Sequence, residues 1–150
     1  MKIAHQHYLG SALSLGMLLA SSALCAQSDL LPQERWQGSV AYLAGGIGSD
    51  EAEAMRREAA SYPLVLELVA PGGGGHGEYV ADAQVEIDNP AGKALLATTV
   101  DGPLLLVRLP AGSYALHVAW NGTVKRRNVT IARGEQQHVV FEFPRQDAQP

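Results

Sequence analysis

Apolar side chains recur along this chain with two different periods, and the change falls at Pro63. Before it, "SDEAEAMRREAASY" (49–62) combines Ala, Glu, Met and Arg, all strong helix formers. Asp50 and Glu53 stand in the Asp-x-x-Glu spacing of a capping box. Asp50, Glu51 and Glu53 place negative charge where a helix dipole favours it, and Arg56 and Arg57 lie toward the other end. This predicts a helix over about Asp50 to Ala60, stopped by Pro63. Beyond Pro63 the period is two. "LVLELVA" sets Leu64, Leu66 and Leu68 on one face against Val65, Glu67 and Val69 on the other, and "AQVEID" alternates Val85 and Ile87 with Gln84, Glu86 and Asp88.

Further strand candidates are Lys93 to Thr99, Leu104 to Leu109, Tyr114 to Trp120, Val124 to Ile131 and His138 to Phe143, with a short glycine-closed one in "SVAYLAGGIG" (39–48). The turn signals "NPAG", "DGP", "PAG", "NG" and "RGE" separate them. About seven short strands at regular spacing, with one N-terminal helix packed on an edge or end, predict a mainly β sandwich. Val85, Ile87, Tyr114, Leu116, Phe141 and Phe143 should be core residues, since each falls on the apolar face of an alternating strand. In "VDGPLLLVRLPAGSYALHVAWNG" (100–122) every residue has a structural assignment. Asp101-Gly102 turns the chain, Leu104 to Leu109 is a strand, and Pro110-Ala111-Gly112 turns it again, with Pro fixing φ and Gly able to take a positive φ. Tyr114, Leu116, Val118 and Trp120 then share one face of the next strand, and Asn121-Gly122 is a hairpin signal.

The pattern "DG..L..RLPAGSYAL.V...G" resembles the carboxypeptidase regulatory-like domain, a transthyretin-like (prealbumin-like) Greek-key β-sandwich. The likeness covers roughly Leu64 to Phe143, including "ADAQVEIDNPAGKALLATTVDG". The chain is also similar to small exported bacterial proteins that place a "GGIG" and an acidic helix before such a domain. What the resemblance implies is a fold and an exported setting. It implies no peptidase activity, because the domain it resembles is an accessory module beside a separate zinc catalytic domain. Related transthyretin-like hydrolases carry a C-terminal Tyr-Arg-Gly-Ser run, whereas this chain reads "FEFPRQDAQP" there.

The first residues change the picture from fold to location. Lys2 is followed by "YLGSALSLGMLLASSALCA" (8–26), uncharged throughout and ending in small residues, which is the layout of a secretory signal peptide. The strongly apolar part is shorter than the ~20 residues of a spanning helix and is broken by Ser and Gly. Lipidation at Cys25, the single cysteine, is the alternative; Leu24 stands before it where lipoprotein signals want a small residue. The expected organisation is a signal peptide over 1–26, a segment with strand and helix over 27–62, the sandwich over 63–144 and a polar tail over 145–150. The expected location is the periplasm or the exterior, with no membrane span after signal removal and no disulfide in the mature domain.

From Gln27 on there are 10 basic and 15 acidic residues, which argues against nucleic acid as a partner. Residues 27–89 carry 3 basic and 11 acidic side chains, and residues 90–150 carry 7 and 4. No cofactor, catalytic residue or metal ligand is expected. "PGGGGHGE" (71–78) is glycine-dense but flanked by strand candidates, with no Lys and no following helix, so it reads as a strand connection rather than a phosphate loop. "GGIG" (45–48) precedes a helix whose acids would repel phosphate, and it reads as an entry turn. His76, His117 and His138 have no metal-site spacing, and His117 and His138 should point outward from their strands. His76 with Glu78 is a candidate for weak surface binding. Ser39, Ser49, Ser61 and Ser113 lack a nucleophile-elbow context. In "VKRRN" (124–128), Lys125 and Arg127 should share a face with Val129 and Ile131, with Arg126 opposite. Asn121 and Asn128 open Asn-x-Thr triplets and read as turn and strand residues. The function expected is an exported, non-enzymatic module with a protein or glycan partner in the cell envelope. The alternatives are a carbohydrate- or small-ligand-binding module, using the 71–77 loop or exposed Trp36 and Trp120 as sugar platforms, and then a hydrolase.

Overall fold

The computed structural model describes residues 30–72 and 77–144. The signal-peptide stretch, His76 with most of the glycine loop, and the 145–150 tail lie outside the described residues. Ten strands and one α-helix follow in the order β1 (Arg35–Gln37), β2 (Val40–Gly45), α1 (Ser49–Glu58), β3 (Leu64–Pro71), β4 (Gly77–Tyr79), β5 (Ala83–Asp88), β6 (Ala94–Val100), β7 (Leu104–Arg108), β8 (Gly112–Trp120), β9 (Thr123–Ile131) and β10 (Gln137–Glu142). The count exceeds the seven expected because β1 and β4 have three residues each, too few to show a period, and because β2 of the N-terminal segment joins the same sheet.

One sheet runs β1-β2-β7-β3-β10, with β4 extending it along β3; the other runs β6-β5-β8-β9. Pairing is antiparallel except between β10 and β3, which run parallel with Val139 opposite Leu66. The two inner faces share one apolar core, built from Leu64, Leu66 and Leu68 of β3, Leu105 and Val107 of β7, Val85 and Ile87 of β5, Leu116 and Val118 of β8, and Phe141. The alternation read from the sequence places these side chains inward, as expected, and Tyr114 and Phe143 are also buried. Burying each such aliphatic side chain contributes roughly 1.5–3 kcal/mol.

The helix occupies the predicted stretch but begins differently and packs differently. Gly48 is its N-cap and no side chain caps it, so the Asp50–Glu53 box is not formed. Because the helix starts at Ser49, Glu51 is its third residue, and its carboxylate reaches back to accept the Gly46 and Ile47 amides at 2.6 and 3.3 Å. The helix lies on a sheet face rather than on an edge or end. Ala52 and Met55 pack with Leu43, Val65, Leu104 and Leu106 in a second apolar cluster, on the side of the β1–β10 sheet turned away from the main core.

Two turns are held by means the sequence pattern does not show. Gly112 opens β8 at a positive φ of 159, as the turn reading expects. What the pattern does not show is that the Tyr114 hydroxyl donates to the Pro110 carbonyl at 2.7 Å, closing the corner with a tyrosine four residues on. At Gly102 the requirement is close approach, since a Cβ there would overlap the Gly45 carbonyl of β2. The Asn121-Gly122 hairpin is as predicted, with both residues at positive φ (46 and 78) between paired Trp120 and Thr123.

Candidate functional site

Among the described residues no helix lies on the outer face of the four-stranded sheet, and the composition of that face follows from two registers. Opposite Glu86 of β5 stands His117 of β8, and opposite His117 stands Arg126 of β9, so the three form one row across the sheet. The row on one side is Gln84, Ala119 and Val124; the row on the other is Asp88, Ala115 and Asn128. Because side chains alternate along a strand, these residues share the face opposite Val85, Leu116 and Val118 of the core.

Small side chains floor this face and polar ones rise from it. A shallow cleft of about 500 Å³ is lined by Gln84, Glu86, Ala97, His117, Ala119 and Arg126. A second, of about 440 Å³, adjoins Asp88, Ser113 and Asn128. His117 Nε2 lies 3.2 Å from Asp88 Oδ2, a diagonal contact between adjacent strands, while the buried Oδ1 of Asp88 has no hydrogen-bond partner among the described residues. Among the described residues, Glu86 and Arg126 form no ion pair, and Val124 is one of four large apolar side chains left exposed, at 59%. The face thus presents an unneutralised acid on one strand, an unneutralised base two strands away and a bare valine beside them. Such a surface can recognise a partner of complementary charge.

The remaining candidates separate. Lys125 and Arg127 do face the same way as Val129 and Ile131, and they lie over the Phe143 and Phe141 rings at 5.9 and 5.8 Å, covering the rim of the core. Only Arg126 of the basic cluster reaches the outer face. His138 points outward on β10 and lies 3.1 Å from Glu67, on the other sheet from His117, so the two histidines do not meet. Among the described residues no three His, Cys, Asp or Glu side chains cluster as a metal site would require. Ser113 shares a 3.1 Å hydrogen bond with Thr130. Trp120 packs edge-on against Phe143 and donates its Nε1 hydrogen to the Ala81 carbonyl at 2.9 Å, which leaves Trp36, 65% exposed on β1, as the open aromatic platform.

One polar cluster falls outside the sequence reading. Glu34 accepts from the Tyr62 hydroxyl at 2.8 Å and from Arg108 Nε at 3.1 Å, and the Arg108 guanidinium lies 4.1 Å above the Tyr62 ring while donating to the Ser61 carbonyl. The hydrogen bonds from Tyr62 and Arg108 hold the Glu34 carboxyl below its ordinary range. Burial, then the bond to Glu34, pushes the Tyr62 hydroxyl up to about 12. Every member is bound to another, so the cluster reads as a clasp holding the segment before β1 to the sandwich. Its partners are 28 and 74 residues apart in the chain, and only the folded register brings them together.

No protein-family model matches the chain, and no curated protein matches it as a relative. Among the described residues no helix is long and apolar enough to cross a membrane.

Proposed function

We propose that this protein is an exported, non-enzymatic β-sandwich module of transthyretin-like type that works by association, and that the outer face of its four-stranded sheet is the surface it works with. The observation that carries this is the unequal treatment of the two outer faces. One is sealed by α1 over an apolar cluster, and the other is left open with Glu86 and Arg126 unpaired. Export rests on the charged start, apolar run and small-residue ending of residues 2–26.

Photo-cross-linking in intact cells tests the reading. A photoreactive residue at position 119, in the middle of the open face, should give a discrete adduct, and one at Glu53 on the exposed side of α1 should not. Adducts from position 53 alone, or none from position 119, would refute it. A second reading, glycan binding, is favoured by the exposure of Trp36. Oligosaccharides that quench tryptophan fluorescence in the wild type but not in Trp36→Ala would support that reading over the first.

A further inference from the structure

We infer that the partner for the open face is a second copy of the same chain, paired face to face about a two-fold axis running along β8. This rests on the association reading above and goes further by naming the partner. The row Glu86, His117, Arg126 is self-complementary, with an acid one strand to one side of β8 and a base one strand to the other. A two-fold axis along β8, lying between the stacked sheets, carries each Arg126 over the partner's Glu86, and each Glu86 over the partner's Arg126, in an isologous contact. The perpendicular in-plane axis through His117 would stack Glu86 on Glu86 and Arg126 on Arg126. Charge therefore selects one pairing and opposes the other.

The neighbouring rows agree with that choice. Ala115 and Ala119 lie on the axis itself, where small side chains allow two sheets to approach closely. Off the axis, Asp88 comes opposite the Asn128 position, a carboxylate against an amide, and the exposed Val124 comes over the Gln84 stem beside Ala119. His117, also on the axis, is held by its own Asp88. With strands ~4.8 Å apart and ~3.4 Å per residue along nine-residue β8 and β9, the face offers about 500 Å² per copy. That is below the ~800 Å² of a standard stable interface. The dimer is accordingly a weak one that forms at high local concentration.

Sedimentation equilibrium of the mature protein over a wide concentration range, with charge reversals, tests this. Wild type should show a reversible monomer–dimer equilibrium. Glu86→Arg and Arg126→Glu, both exposed and expected to fold normally by circular dichroism, should each weaken it about tenfold or more, because symmetry places two like-charge contacts in every dimer. An equimolar mixture of the two variants should dimerise again, since one copy then offers only bases and the other only acids. A wild type that stays monomeric at millimolar concentration would overturn the inference. So would a dimer indifferent to both reversals, or a mixture that fails to recover. An adduct from position 119 to a different protein would retain the association reading and overturn self-pairing.

Discussion

The two sheets of this sandwich treat their outer faces in opposite ways. On the β1–β10 sheet, Leu43, Val65, Leu104 and Leu106 point away from the main core and would meet water were Met55 and Ala52 of α1 not packed on them. On the β6–β9 sheet the corresponding positions are Gln84, Glu86, His117, Ala119 and Arg126, which water can satisfy. An outer face written in leucine and valine needs a covering element within its own chain, and α1 is placed between β2 and β3 to supply it. An outer face written in alanine and charge needs none, and stays available to another molecule.

The comparison is broken most forcefully through the sealed face. Leu106→Ala, under the helix, should cost on the order of 2–5 kcal/mol in chemical denaturation, as much as Leu116→Ala in the main core, since both side chains are fully buried. A small loss at Leu106 alone would mean that the helix is an ornament rather than a cover. Gly102→Ala should come next, at roughly 1–3 kcal/mol, because the added Cβ overlaps the Gly45 carbonyl and pushes β2 from its place beside β7. Tyr114→Phe removes one hydrogen bond and leaves the Pro110 carbonyl without that donor, for about 1 kcal/mol by the same measurement.

The clasp beside the sealed face gives a pH signature. Tyr62 has its hydroxyl raised to about 12, so its contribution is fully present below the ordinary tyrosine value near 10 and is lost as pH rises toward 12. Glu34 is lowered, so its contribution is present above the ordinary carboxylate range and is lost as pH falls through the lowered value. Melting temperatures of wild type should therefore fall more steeply than those of Tyr62→Phe across the alkaline interval, and more steeply than those of Glu34→Gln on the acid side. Parallel curves would remove the clasp from the account. The smallest effect belongs to the open face, where Gln84→Ala and Glu86→Ala, both exposed, should change unfolding free energy by no more than about 0.5 kcal/mol, because what they touch is mostly solvent.

Which parts of this were legible in the sequence follows from the distance over which each is encoded. Alternation in "LVLELVA", "AQVEID" and "SYALHVAW" is local, and it placed Leu66, Ile87 and Leu116 inward correctly. The acidic-to-basic run 50–57 marked the helix for the same reason. The capping assignment missed by a short step, because Glu51 and Glu53 are equally acidic in the sequence and only the helix start at Ser49 decides which one reaches back. Gly102 reads as a turn glycine, whereas its necessity comes from the strand ending at Gly45. The open face was least legible: Glu86, His117 and Arg126 become a row only once the β5–β8 and β8–β9 registers are set, and no local pattern contains those registers.

The claim that the open face is the working one is tested most directly by hydroxyl-radical footprinting of the protein in intact cells against dilute purified protein. His117 and Val124 should be labelled less in cells, with Trp36 labelled equally in both. Protection of Trp36 with His117 and Val124 unchanged would contradict the account and place the working surface on the other sheet.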